Sequence, residues 1–140
     1  MRFLRVALVS AAIALSLVVV APAIAGDTDP LFVNATTDQP HRAKMALVFS
    51  KNQLDRKHPV AIFLNDRGVL IASKTNGETF KEQQDLLKSL IAAGATVIAC
   101  PMCMAHYGVK EADLLPGITI GTSEVVGGAL FKDNTKTMTW

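Results

Sequence analysis

Alternating strand-like and helix-like segments constrain the fold of this chain most strongly. Val60–Leu64 and residues 95–99 are continuous apolar runs, which are typical of strands covered on both faces of a sheet. Between them, residues 79–94 have helical periodicity, with capping-box spacing at Thr79 and a glycine stop at Gly94. A strand, a helix and a strand in this order predict a crossover between two parallel strands.

The rest of the chain continues this alternation. We expect a strand at residues 31–34, a helix from Pro40 to about residue 56, a helix at residues 102–107, a strand at residues 118–120, a helix at residues 123–131 and a strand at residues 135–140. The first of these helices should be capped by Thr37 or Asp38 and should bury Ala43, Ala46, Leu47 and Leu54. The sequence therefore predicts an α/β domain, a three-layer sandwich with a mostly parallel sheet of about five strands.

The first 25 residues have the layout of a secretory signal peptide. A basic start with Arg2 and Arg5 precedes an apolar run, and the A-x-A pattern that ends at Ala25 suits a signal peptidase. We expect cleavage after Ala25, one mature domain at residues 26–140, and a periplasmic or secreted location. An uncleaved membrane anchor is the alternative, although the apolar run is short for a full span.

Removal of the signal peptide changes the charge balance. The whole chain has 14 Lys and Arg residues against 12 Asp and Glu residues, and Arg2 and Arg5 leave with the signal. The mature chain is therefore balanced at 12 against 12, so the positive excess belongs to the targeting segment. We expect no nucleic-acid partner, and no membrane partner after cleavage.

The chain has only two cysteines, and both lie in the segment Cys-Pro-Met-Cys at residues 100–103. An oxidising compartment permits a disulfide between them, but two cysteines are too few to hold together a domain of this size. Pro101 suits the first position of a helix, which places Cys100 at the N-cap and Cys103 in the first turn. Because the N–H groups at a helix start favour a thiolate, we expect Cys100 to be the nucleophile and Cys103 the resolving thiol. An inert disulfide, or two buried small side chains, is the alternative.

Three loops should meet at the carboxyl edge of the parallel sheet, where sites form in such folds. They are residues 34–40, 65–68 and 100–104. The candidate binding residues in and beside these loops are His41, Asn65, Asp66, Arg67 and Met102. Arg67 would stabilise a thiolate or an oxyanion and Asp66 would hold Arg67 in place, whereas a turn held by backbone contacts is the alternative role for the second loop. His41 is a candidate proton donor, or else a solvated first-turn residue.

The cysteine segment also offers a set of soft metal ligands. Cys100, Cys103, Met104 and His106 provide the thiolate, thioether and imidazole groups that Cu(I) prefers, so a copper-type site is an alternative to a site without a cofactor. Haem attachment is excluded, because Cys-x-x-Cys-His requires histidine where this chain has Met104. A thioredoxin-type oxidoreductase is disfavoured, because its Cys-x-x-Cys follows an early strand rather than the third strand.

In their order along the chain, these segments resemble the DsrE/DsrF-like family. The resemblance is carried by Pro-His-Arg-Ala at residues 40–43, by residues 59–69 with Asn-Asp-Arg-Gly-Val at their end, and by Val-Ile-Ala-Cys-Pro-Met-Cys at residues 97–103 followed by Gly-Val. The resemblance implies a compact α/β sandwich that assembles as a dimer, trimer or hexamer. It also implies a persulfide carried on the cysteine that follows the third strand, which is Cys100 in this chain.

The sequence as a whole predicts an exported sulfur-handling protein of this family, a variant with a Cys-Pro-Met-Cys motif. It would transfer persulfide sulfur or exchange disulfides through Cys100 and Cys103, as a carrier rather than a turnover enzyme. Its expected partners are sulfur donor and acceptor proteins, or small sulfur species, together with further copies of itself. A soft-metal-binding protein and an oligomeric structural module with an inert disulfide are the alternatives.

Overall fold

A computed structural model describes residues 26–140, so the predicted signal peptide and its alternative, a membrane anchor, lie outside the described residues. The described chain forms β1 (Leu31–Ala35), α1 (Pro40–Asp55), β2 (Val60–Leu64), α2 (Val69–Ala72), α3 (Lys81–Ala92), β3 (Thr96–Ala99), α4 (Pro101–Tyr107), β4 (Ile118–Ile120), α5 (Ser123–Leu130) and β5 (Lys136–Thr139). Short 3-10 turns lie at Asp66–Gly68, Lys74–Asn76 and Glu111–Asp113. None of the helices in this part of the chain is long and apolar enough to span a membrane.

The five strands form one parallel sheet in the order β4-β3-β2-β1-β5. Because crossovers between parallel strands are right-handed, the stepwise order from β1 to β4 places α1 to α4 on one face. The return from β4 to β5, which pairs with β1, takes α5 across the other face. The predicted α/β sandwich with a parallel sheet is therefore confirmed.

The main core lies between the sheet and helices α1 to α4. Its fully buried side chains come from alternate positions of the strands and from the inner faces of α1 and α3: Val33, Leu47, Ile62, Leu64, Leu87, Leu90 and Val97. Of the residues expected to be buried in α1, Ala43, Ala46 and Leu47 are buried, whereas Leu54 is half-buried. The opposite face is covered thinly, because α5 has no buried residue.

The starts of the two long helices differ from the sequence prediction. The N-cap of α1 is Gln39 rather than Thr37 or Asp38, and the Thr37 hydroxyl accepts a hydrogen bond from the Gln39 N–H at 3.0 Å. The predicted capping box at Thr79 is also wrong, because α3 begins after Phe80. Phe80 is 6% exposed, so burial of its ring sets the entry of the chain into α3.

Candidate functional site

Both cysteines lie at the carboxyl edge of the sheet, at the start of α4. Cys100 follows the last residue of β3 and is the N-cap of α4, and Pro101 is the first helical residue, as predicted. The Cys100 N–H donates to the Leu64 carbonyl at 2.9 Å, and the Cys100 carbonyl accepts from the Met104 N–H at 2.9 Å. These two hydrogen bonds fix the backbone of Cys100 between β2 and α4.

Both cysteines are half-buried free thiols. Burial raises the pKa of the Cys103 thiol, and its hydrogen bond with the Cys100 side chain raises that pKa further, whereas the backbone N–H of Asp66 lowers it. The thiol of Cys103 therefore keeps its proton to a higher pH than an ordinary cysteine. A thiol of this kind is suited to react second, after its neighbour has formed a bond.

Asp66 connects the loop after β2 to α4. Its backbone is in the left-handed region, with φ of 44°, a conformation that aspartate tolerates better than most residues. The Tyr107 hydroxyl donates a hydrogen bond to the Asp66 carboxylate, and this bond raises the pKa of Tyr107. The side chain of Asp66 thus binds the end of α4, while its backbone N–H lowers the pKa of Cys103 in the first turn of the same helix.

Arg67 is held by Asp38 rather than by Asp66. The guanidinium donates two hydrogen bonds to the Asp38 carboxylate, with Nε–Oδ1 at 2.9 Å and Nη2–Oδ2 at 2.6 Å. This pairing holds the pKa of Asp38 below its usual value. The guanidinium carbon also lies 5.7 Å from the centre of the Tyr107 ring. The expectation that Asp66 positions Arg67 is therefore wrong, and Asp38 and Tyr107 join the candidate site as neighbours of Arg67 that the sequence did not indicate.

The other predicted binding residues have different surroundings. Asn65 is half-buried, and its amide donates to the Asn34 side chain and to the Phe63 carbonyl, the latter at 3.3 Å. Its contacts therefore join β1 and β2 at the base of the loop. His41 is exposed on the first turn of α1. Met102 is 80% exposed, so its thioether lies in solvent between the two cysteines of the motif.

The structure separates two members of the alternative metal-ligand set. Met104 is 5% exposed and packs in the core, whereas His106 is exposed and packs edge-on against Tyr107, with ring centres 4.7 Å apart. Across residues 26–140, no group of three or more His, Cys, Asp or Glu side chains is placed to hold a metal ion. The thioether of Met104 therefore contributes to the core, and the imidazole of His106 lies on the exposed side of α4.

The raised pKa of Cys103 can be measured directly. In the Cys100→Ser variant, we expect the alkylation rate of Cys103 to reach half its maximum above the ordinary thiol value of about pH 8.5. Burial is the main cause of the raised pKa, and the substitution leaves Cys103 half-buried. Adding Asp66→Asn should lower that midpoint, since the Asp66 carboxylate disfavours a nearby thiolate while its N–H is retained. The measurement is the rate of iodoacetamide modification against pH. A midpoint at or below the ordinary thiol value contradicts this prediction.

A parallel α/β domain with two adjacent thiols at the carboxyl edge of its sheet defines a class of small thiol-bearing proteins. The chain belongs to the DsrE/DsrF-like family, whose profile matches residues 31–135. That family is associated with sulfur relay. The family resemblance inferred from the sequence is therefore confirmed.

Two relatives are similar in sequence along most of their length. The chain is 36% identical over 95 residues to the uncharacterized protein MJ0989 of Methanocaldococcus jannaschii. The aligned region covers 65% of this chain and 83% of that protein. It is also 34% identical over 82 residues to the uncharacterized protein MK0008 of Methanopyrus kandleri, and this aligned region covers 58% of this chain and 68% of that protein.

Three solved structures are similar in fold. A protein of unknown function from Methanobacterium thermoautotrophicum, MTH1491, has a TM-score of 0.67 and 16% identity, over 80% of this chain and 99% of its own. The ychN protein from E. coli has a TM-score of 0.61 and 18% identity, over 81% of this chain and 99% of its own. The protein BT1422 from Bacteroides thetaiotaomicron has a TM-score of 0.62 and 21% identity, over 80% of this chain and 95% of its own. At these identities the likeness concerns the fold alone.

Proposed function

We propose that this chain is an exported sulfur-handling protein that accepts sulfane sulfur on Cys100 and releases it through Cys103. The observation that carries the proposal is the position of Cys100 as the N-cap of α4, with the second half-buried thiol, Cys103, in the first turn of the same helix. The N–H groups of a helix start stabilise a thiolate, and the carboxyl edge of a parallel sheet is open to ligands. Membership of a family associated with sulfur relay supports the same chemistry.

The proposed first step is nucleophilic attack by Cys100 on a sulfane sulfur. With thiosulfate as donor, the Cys100 thiolate attacks the outer sulfur, the sulfur–sulfur bond of thiosulfate breaks, and sulfite leaves with the electron pair. Cys100 then carries a persulfide.

Two routes release the sulfur. In transfer, the thiolate of an acceptor protein attacks the terminal sulfur, and Cys100 returns as a thiolate. In resolution, the Cys103 thiolate attacks the inner sulfur of Cys100, which forms a disulfide between the two residues and expels hydrosulfide. A dithiol reductant then returns the disulfide to two thiols. The proposed partners are therefore a sulfur donor, an acceptor thiol or dithiol, and further copies of the chain.

The test of this function is the uptake of sulfur by the reduced protein, residues 26–140. We expect incubation with thiosulfate or polysulfide to add the mass of sulfur, and the Cys100→Ser variant to gain none, because it lacks the nucleophile. Intact-mass spectrometry before and after treatment with dithiothreitol measures this uptake.

The same experiment separates the sulfur carrier from a structural module. A module whose cysteines only lock a turn would gain no sulfur as wild type and would lose thermal stability in Cys100→Ser. If neither the reduced wild-type protein nor Cys103→Ser, in which no second thiol resolves the persulfide, gains sulfur from either donor, the proposed function is wrong.

A further inference from the structure

A second polar cluster lies at the amino edge of the sheet, away from the cysteines. The backbone nitrogen of Gly26 lies 2.8 Å from Oδ2 of Asp29, and Nζ of Lys136 lies 3.2 Å from the same oxygen. Nδ1 of His58 lies 2.8 Å from the carbonyl oxygen of Asp29. The carboxylate of Asp29 is only 13% exposed, so it is enclosed by the first described residue and by the start of β5.

The turn at residues 26–29 fits closely around this carboxylate. The Asp29 N–H donates to the Gly26 carbonyl at 3.2 Å, which closes the turn from the other direction. A Cβ on residue 26 would lie 2.9 Å from Oδ1 of Asp29, so glycine permits this approach without displacing the carboxylate. The Gly26 N–H and the Lys136 ammonium lower the pKa of Asp29, so the carboxylate is ionised at neutral pH.

We propose that this cluster is a binding site for the α-amino group of the mature chain. Cleavage after Ala25 converts the Gly26 amide N–H into an ammonium group, and that ammonium binds the Asp29 carboxylate that already lies 2.8 Å away. The proposal rests on the cleavage site in the proposed export of the chain. It is independent of the sulfur chemistry, which takes place at the other edge of the sheet.

Cleavage would strengthen the hold on the Asp29 carboxylate. The amide N–H already donates to an ionised carboxylate, and cleavage adds the positive charge of an ammonium at the same place, so the ammonium holds Asp29 more firmly than the amide does. The side chain of Lys136 pairs with that carboxylate, and the backbone N–H of Lys136 donates to the Pro30 carbonyl at 2.8 Å. All four residues of β5 are exposed, so the contact of Lys136 with Asp29 is one of the few side-chain contacts at the start of this strand.

The expected stabilisation depends on pH with a definite sign. The Asp29 carboxylate favours the ammonium, Lys136 on the same carboxylate opposes it, and the His58 ring lies against the Asp29 carbonyl. The close carboxylate dominates, so the amine should titrate above its ordinary range of about 7.7–8.0. The stabilisation is then complete below that range and is lost as pH rises through the pKa of the folded amine.

Three forms of the chain test the proposed contact. They are residues 26–140 with a free Gly26 amine, the same chain with an acetylated amine, and residues 25–140, in which Ala25 moves the ammonium away. At about pH 6.5, the free-amine form should melt about 3 °C or more above both others, and the difference should vanish near pH 10. In Asp29→Asn, the three forms should melt together. Equal melting of the three wild-type forms at about pH 6.5 overturns the proposal.

The cleavage site is tested separately on the full chain. Secretion of residues 1–140 from a bacterial host, followed by N-terminal sequencing, should give Gly26 as the first residue. Any other first residue overturns the proposal, even if the isolated free-amine form is more stable. Sulfur uptake by Cys100 is measured on the same protein, so failure of the sulfur function is recognised independently of failure at Asp29.

Discussion

Replacement of Cys103 with serine is expected to trap sulfur on Cys100. Without the second thiol, the persulfide on Cys100 loses its internal attacking group, because serine does not displace hydrosulfide from a persulfide. A positioned neighbour has a far higher effective concentration than any thiol in solution, so hydrosulfide release in a single turnover should fall at least about 100-fold. The measurements are the rate of hydrosulfide release and the mass of the persulfide form over time.

A matched control places a new serine on the same helix without removing a thiol. Ala105 is exposed on α4, so Ala105→Ser should release hydrosulfide at the wild-type rate. Release from Cys103→Ser at the wild-type rate would show that Cys103 is not the resolving thiol. Persulfide uptake by that variant would still support Cys100 as the carrier, so the experiment separates the two roles.

Replacement of Gly68 with alanine is expected to destabilise the protein by about 3 kcal/mol or more. An added Cβ would lie 2.2 Å from the Ala35 carbonyl oxygen and 3.1 Å from its carbon, which are backbone atoms of β1 and cannot rotate away. Gly68 has φ of −57°, which any residue adopts, so the requirement for glycine is one of space alone. Urea denaturation followed by circular dichroism measures the loss of unfolding free energy.

A glycine in open space provides the control for this substitution. Gly128 lies inside α5, and an added Cβ would have no heavy atom within 4 Å. Gly128→Ala should therefore be neutral or should stabilise the protein by up to about 1 kcal/mol, because alanine favours a helix. Similar stabilities of the two variants would contradict the close approach of Gly68 to β1. Since Gly68 ends the turn that carries Asp66 and Arg67, its replacement should also disturb the surroundings of Cys103.

The sequence predicts the layers of this fold because strand and helix patterns alternate clearly. Val60–Leu64 forms a strand over the predicted range, since an uninterrupted apolar run needs cover on both faces. The sequence does not show that β5 pairs with β1. That pairing depends on how α5 crosses the thinly covered face of the sheet, which no local pattern specifies. The four-residue helix Val69–Ala72 was missed, because it is too short to show a helical period.

The sequence identifies the cysteines of the candidate site but not the groups around them. Pro101 and the preceding strand are local signals, and they place Cys100 at the start of α4. Asp38 and Arg67 are 29 residues apart in the chain, and they meet only because β1 and β2 are neighbours in the sheet. The contact of Tyr107 with Asp66 likewise depends on how α4 packs beside the loop after β2, which no local pattern specifies.

The pairing of the first strand with the last one determines when this chain can finish folding. β1 has β2 on one side, but its other edge is paired only by β5, near the far end of the sequence. A chain that emerges from a ribosome therefore exposes a row of unpaired N–H and C=O groups on β1 until Lys136–Thr139 has emerged. Such an edge is a template for pairing with other chains, and contacts between distant residues form slowly. The pairing of β5 with β1 therefore covers an edge that could otherwise pair with another chain.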